Sequence, residues 1–232
     1  MKIYKQTAVA LLGLSAALIG GGVSAAPVTL TGTYVSYSFN DAELGLFGTA
    51  SVSGDNLVFA PSNFTASSGG VPFAFQTMHV TVSANAGYLL SAFSLTESGG
   101  YSRTGTDVDI GVTGTFGATD IEGTTGNYIP MTIAADAPFV SATGNWSAHT
   151  EISLPATGWG GVDGMVGSVS LTISNQLYAT VLQAGGAASI YKDFVGVNVV
   201  TAPVPEAQTY ALMLAGLGLV GFMARRRRSA SA

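Results

Sequence analysis

The chain has 232 residues, no cysteine and a formal net charge of -5, so it can bury one real core but can form neither disulfides nor thiolate metal sites. The average charge hides a division. Lys2 and Lys5 open the chain, Arg225, Arg226, Arg227 and Arg228 close it, and only Arg103 and Lys192 lie between residues 26 and 203. Twelve acids in that span leave it at -10, a field that repels phosphate and argues against nucleic acid as a partner.

Residues 1–25 follow the plan of a secretory signal peptide. Lys2 and Lys5 precede an apolar run from Ala8 to Ile19, then Gly20-Gly21-Gly22 and the small residues Val23-Ser24-Ala25. Cleavage by signal peptidase is expected after Ala25, since a cut after Ala26 would place Pro27 directly behind the scissile bond.

Residues 26–200 have the length of one exported domain, and their periodicity is two. Val28, Leu30, Gly32 and Tyr34 share one phase and Val35, Tyr37 and Phe39 the other, which reads as a strand with a bulge or bend near Tyr34. Val80 and Val82 alternate with His79, Thr81 and Ser83. Val108, Ile110 and Val112 alternate with Asp107, Asp109 and Thr113, and Val169, Leu171 and Ile173 with serine and threonine. Further strands are predicted over 57–60, 73–78, 89–97, 128–134, 141–152, 176–183 and 188–200. Gly54-Asp55-Asn56, Ser67-Ser68-Gly69-Gly70, Ser98-Gly99-Gly100 and Gly160-Gly161 carry turn chemistry between them. About ten short strands without a helix predict an all-β fold, an antiparallel β-sandwich of jelly-roll-like or flattened-barrel form.

Candidate chemistry in this domain is sparse. His79 and His149 sit in polar strand-like runs, and no Gly-x-Ser-x-Gly elbow marks a nucleophile. Asp107 with Asp109, or Asp120 with Glu122, has the spacing of a paired-carboxylate hydrolase, although acidic surface residues explain both pairs equally well. The same four carboxylates are candidate calcium ligands, since hard cations take oxygen donors and a domain without disulfides would gain stability from one. Gly160-Gly161-Val162-Asp163-Gly164 has the look of a single calcium-binding glycine-rich repeat, a motif that ordinarily comes in tandem. Trp146 and Trp159 are candidate platforms for sugar rings, or large core residues.

Residues 201–209 read as a linker in which Pro203 and Pro205 keep the chain extended. Residues 210–224 read as a transmembrane helix: Ala211 to Ala224 carry no charge, and Tyr210 is placed for an interface. Fourteen residues at 1.5 Å each span roughly 21 Å, short of the hydrocarbon core of roughly 30 Å, so the span is marginal. Arg225, Arg226, Arg227 and Arg228 act as a positive-inside stop, leaving 225–232 as a basic cytoplasmic tail.

Val204-Pro205-Glu206, the apolar Leu212-Met213-Leu214-Ala215-Gly216-Leu217-Gly218-Leu219 and the arginine run from Arg225 to Arg228 together resemble the PEP-CTERM sorting domain of Gram-negative bacteria. The resemblance implies recognition and processing of the tail by a membrane-embedded exosortase, and an association with exopolysaccharide and biofilm. Ala207 stands where the family's second proline is usual. Asp41 to Gly48 and Ser53-Gly54-Asp55 are similar to exported proteins with the same tail, which implies a shared fold and no activity. The expected protein is therefore not an enzyme. It is an exported structural or adhesive protein, transiently anchored in the inner membrane and then placed in the envelope or extracellular matrix. A carbohydrate- or calcium-binding module and a secreted hydrolase are the alternatives.

Overall fold

A computed structural model of the chain describes residues 27–123, 126–204, 212–220 and 223. Several expectations fall outside these residues: the signal peptide over 1–25, Pro205 and Glu206 of the sorting motif, and the stop-transfer residues Arg225, Arg226, Arg227 and Arg228. Twelve strands follow in chain order: β1 (Pro27–Thr31), β2 (Val35–Asn40), β3 (Thr49–Ser53), β4 (Asn56–Ala60), β5 (Thr65–Ser67) and β6 (Phe73–Ala84). Then come β7 (Tyr88–Thr104), β8 (Val108–Asp120), β9 (Tyr128–Ala134), β10 (Thr143–Ser153), β11 (Ser168–Val181) and β12 (Ala187–Pro203).

They form two antiparallel sheets, ordered β1-β2-β6-β11-β8-β9 and β10-β7-β12-β4-β3, with β5 pairing β12. The expected sandwich is present. Among the described residues only β1/β2, β3/β4 and β8/β9 are hairpins of consecutive strands. The long strands β6, β7, β8, β10, β11 and β12 otherwise pass from one sheet to the other, so most pairings join segments distant in sequence.

One core lies between the sheets because the inward phase of each long strand is apolar. Met78, Val80 and Val82 of β6 face Phe93 and Leu95 of β7, Leu171 and Ile173 of β11, and Val195 and Val197 of β12 within a single buried cluster. Burying one such side chain stabilises the fold by about 1.5–3 kcal/mol. The Asp41–Glu43 and Gly45–Phe47 segments are short 3-10 turns. Asn40 Oδ1 accepts from the Ala42 N–H at 3.0 Å, and the second turn delivers Phe47 into the core, where its ring lies 5.5 Å from Phe59 and 5.8 Å from Phe64.

Three local expectations are corrected. The phase change near Tyr34 is a hairpin between β1 and β2, with Gly32 N–H donating to the Val35 carbonyl at 2.8 Å, so one bent strand is in fact two. Ser98-Gly99-Gly100 is no turn: both glycines lie inside β7, with Gly99 opposite Lys192 and Gly100 opposite Tyr191. A Cβ on Gly99 would stand 1.9 Å from the Tyr191 carbonyl oxygen, so the position needs glycine for close approach. The runs 168–174 and 176–183 belong to one strand, β11, with Asn175 at its centre.

β12 continues to Pro203, inside the segment expected to be linker, and Val204 N–H still donates to the Gly87 carbonyl at 2.8 Å. Beyond it, residues 212–220 are helical, with Leu212, Leu214, Leu217, Leu219 and Val220 exposed. Nine helical residues span roughly 14 Å, and among the described residues no helix is long and apolar enough to cross a membrane.

Candidate functional site

The chemistry with the most unusual setting is in the core. Glu97 follows Phe93 and Leu95 in the inward phase of β7. Asn175 sits between Ile173 and Leu177 in the inward phase of β11, and Lys192 follows Ala188 and Ile190 in that of β12. A register shift between Lys192 and Phe194 places Asp193 in a bulge, where its carboxylate accepts from Ser98 Oγ at 3.0 Å. After the bulge the inward phase resumes at Val195.

The three buried side chains close a ring. Lys192 Nζ donates to Glu97 Oε2 at 2.5 Å and also to Asn175 Oδ1, while Asn175 Nδ2 donates to Glu97 Oε1. The Lys192 and Glu97 side chains are 0% exposed. Nζ lies 5.0 Å from the centre of the Phe64 ring and 5.7 Å from Trp146. Burial pushes the Lys192 amine down to about 8, against the opposing attraction and hydrogen bond of Glu97. Every polar atom of the ring finds a partner, which is what makes buried charge tolerable.

The tryptophans proposed as sugar platforms are core residues. Trp146 is 6% exposed, with its Nε1–H donating to the Tyr191 carbonyl at 3.0 Å, and Trp159 is 5% exposed. Neither ring presents an open face: Trp146 points inward from β10, and Trp159 is buried from a loop whose flanking Gly158 and Gly160 both take positive φ. Trp146 serves instead as a wall of the Lys192 chamber.

Asp120 and Glu122 do come together at the end of β8, but as loop fasteners. Asp120, 2% exposed, accepts from the Glu122 and Gly123 N–H groups through Oδ1, both at 3.0 Å, and from the Gly160 N–H through Oδ2 at 3.1 Å. Glu122 Oε2 accepts from the Gly167 N–H at 2.7 Å. The Gly160–Gly164 loop is thus held by backbone donors, and Asp163 Oδ1 turns back to the Met165 N–H at 3.0 Å. Asp107 lies in the β7–β8 turn with φ 58°, and Asp109 stands on the outer face of β8. Burial, then the Asp109 charge, pushes the Tyr178 phenol up. Among the described residues no three histidines, aspartates or glutamates gather as a metal site. His79 Nδ1 is 3.0 Å from Glu43 Oε2, and His149 Nδ1 is 3.3 Å from Thr96 Oγ1, both on exposed strand faces.

The tail is the other functional element. The family model of the PEP-CTERM protein-sorting motif matches residues 203–228. The chain carries a PEP-CTERM sorting signal. The match takes in Val204, Pro205 and Glu206 at its start and Arg225, Arg226, Arg227 and Arg228 at its end, the two features that the sequence marks out. The signal implies export and membrane-associated sorting, with an exosortase as the processing enzyme. It begins at Pro203, where β12 ends, so the sandwich passes directly into its sorting segment. Comparison with curated proteins gives no match. Among solved structures, the enzymatically active domain of tailspike protein 4 from bacteriophage CBA120 is similar at 13% identity and a TM-score of 0.21. The likeness covers 77% of this chain and only 20% of that one.

Sequence reasoning misses the Glu97–Asn175–Lys192 ring, although a signal is there. Each residue is a polar break in an otherwise apolar inward phase, and Lys192 is one of only two cations in the exported region.

Proposed function

We propose that this chain is an exported structural or adhesive protein of the cell surface or an extracellular polysaccharide matrix, delivered through its PEP-CTERM tail. The observation that carries this reading is the sorting motif at residues 203–228, fused to the last strand of a cysteine-free sandwich. The protein is the substrate of the exosortase and needs no catalytic turnover of its own. Residues 1–25 route it through the inner membrane, residues 210–224 hold it there, and Arg225, Arg226, Arg227 and Arg228 stay in the cytoplasm. Each arginine resists the bilayer centre by roughly 2.5–3.5 kcal/mol on insertion scales. Processing then releases the protein to the envelope or matrix, where association with exopolysaccharide would serve a biofilm. A glycan-contacting surface would have to lie elsewhere than Trp146 and Trp159, which are buried.

The test is fractionation and intact mass of the protein in cells with and without the exosortase. The expected result is removal of the chain beyond the Val204-Pro205-Glu206 region only when the enzyme is present. Identical mass and identical fractionation in both strains would overturn the reading.

A further inference from the structure

We infer that the Lys192 and Asn175 side chains become joined by an amide bond, formed by the folded domain itself with loss of ammonia, and that Glu97 carries the protons. The ring described above sets a nitrogen nucleophile, a carboxamide and a carboxylate in mutual contact, in a chamber closed by Phe64 and Trp146. A lysine held in apolar surroundings reaches its neutral, nucleophilic form far more readily than one in water. Contact held by a close-packed core supplies the orientation that the slow reaction of an amine with a carboxamide lacks in solution.

The atoms balance without any other reagent. The Lys192 ammonium first gives a proton to Glu97, and the free amine then attacks Asn175 Cγ, forming the new C–N bond and placing the carbonyl electron pair on oxygen. Glu97, which contacts both nitrogens, protonates the departing Nδ2 and recovers a proton from the new linkage. Return of the oxygen electron pair breaks the old C–N bond and expels ammonia. Glu97 finishes protonated, and that last proton leaves with the ammonia as ammonium. No oxidation state changes, and water is kept from competing because all three groups are buried.

The link would tie β11 in the centre of one sheet to β12 in the centre of the other. It would give an exported chain without cysteine the covalent staple that disulfides provide elsewhere. This inference does not rest on the sorting reading.

The experiment digests the purified full-length protein after denaturation and weighs the peptides. Between residues 26 and 203 trypsin has sites only at Arg103 and Lys192. An acylated Lys192 blocks the second, so the expected fragment starting at Thr104 runs past Lys192 and is about 17 Da lighter than its sequence, the mass of one ammonia. Chymotrypsin, cutting at Tyr178 and Tyr191, should leave a branched product joining the peptides of Asn175 and Lys192. Asn175→Ala should restore cleavage after Lys192 and leave unaltered masses, and Lys192→Met, which removes that site, should give a Thr104 fragment of full sequence mass and no branched product. Glu97→Gln should keep the circular dichroism of the sandwich but lose the link, and a linked Glu97→Gln protein would remove Glu97 from the mechanism. Should that variant fail to fold, the native protein still decides: cleavage after Lys192 with unaltered peptide masses overturns the inference.

Discussion

Replacing Asp120 by asparagine tests whether this carboxylate is a fastener of the fold. Asparagine keeps the shape and keeps one oxygen for the Glu122 and Gly123 N–H groups, but sets an NH2 against the Gly160 N–H, now 3.1 Å from Oδ2. One charge-assisted hydrogen bond is lost and a buried donor is left facing another donor, at a cost of about 2–4 kcal/mol. Asp120→Ala removes all three acceptor contacts. The Glu122 and Gly123 N–H groups sit in the turn after β8, where water can serve them, so the alanine variant should lose about 4–5 kcal/mol, not three full penalties. Because the Gly160 loop carries Trp159 into the core, the loss should appear in both tryptophan fluorescence and far-UV circular dichroism during urea unfolding. The midpoint should fall with the slope unchanged. An Asp120→Asn protein within about 0.5 kcal/mol of the parent would refute the assignment, since that is the range of ordinary surface substitutions.

Chelation should leave the melting temperature unchanged, because Asp120 and Glu122 already accept backbone N–H groups; a fall of several degrees on adding chelator would restore the calcium alternative. Gly99→Ala should destabilise by about 3 kcal/mol or more, as its Cβ would meet the Tyr191 carbonyl oxygen at 1.9 Å, whereas Gly69→Ala, with open space around it, should stay within about 0.5 kcal/mol. Denaturant midpoints of the two variants check this contrast. Burial, then the Asp55 charge, holds the Tyr37 phenol far above 10, its ordinary value. The unfolded phenol releases its proton near pH 10 while the folded one retains it, so the native state binds more protons there and stability must fall as pH rises past about 10. Tyr37→Phe should flatten that decline, at a cost of about 1 kcal/mol for the lost hydrogen bond to the Asp55 carbonyl, and midpoints measured from pH 8 to 11 separate the two effects.

The sandwich is legible in the chain because alternation reports a half-buried strand whatever its partner. Val169, Leu171 and Ile173 announce β11, and Val80 and Val82 announce part of β6. Pairing is not legible, since β11 lies between β6 and β8 and β12 between β7 and β4, and such neighbours leave no local trace. The errors share a cause. A period-two pattern broken by a polar residue or by glycine reads as ending, at Asn175 and at Gly99, yet in both places the strand continues because a facing group accounts for the exception. Asn175 meets Glu97 and Lys192, and Gly99 makes room for the β12 backbone. The tryptophans show the converse limit: composition cannot say which face of an indole is covered, and here the sandwich covers both rings.

Lys192 of the core ring and the first residue of the sorting signal, Pro203, lie on one strand, β12, and this bears on what a tethered sandwich must withstand. A protein held by its C-terminus receives any pull through the strand next to the tether, here β12. That strand is interior to its sheet, bonded to β7 along one side and to β4 and β5 along the other. A force along β12 therefore shears two ladders at once instead of peeling an edge strand bond by bond. The bulge at Asp193 interrupts the β7 ladder, and at that interruption Lys192 reaches across the core to Asn175. A covalent bond there would stop extension of the chain on the C-terminal side of Lys192 from pulling out the segment before it, and would hand the load to β11 in the opposite sheet. Lys192→Met leaves the buried Glu97 carboxylate without its cation, so the variant should fold with a loss of about 3–5 kcal/mol. The same variant should unfold at lower force when stretched from its ends in a single-molecule experiment, with the released length increased by the segment between Asn175 and Lys192. Because the lost ion pair lowers the force in either case, the released length decides: equal length in the native and Lys192→Met proteins would show that β12 is held by its ladders alone.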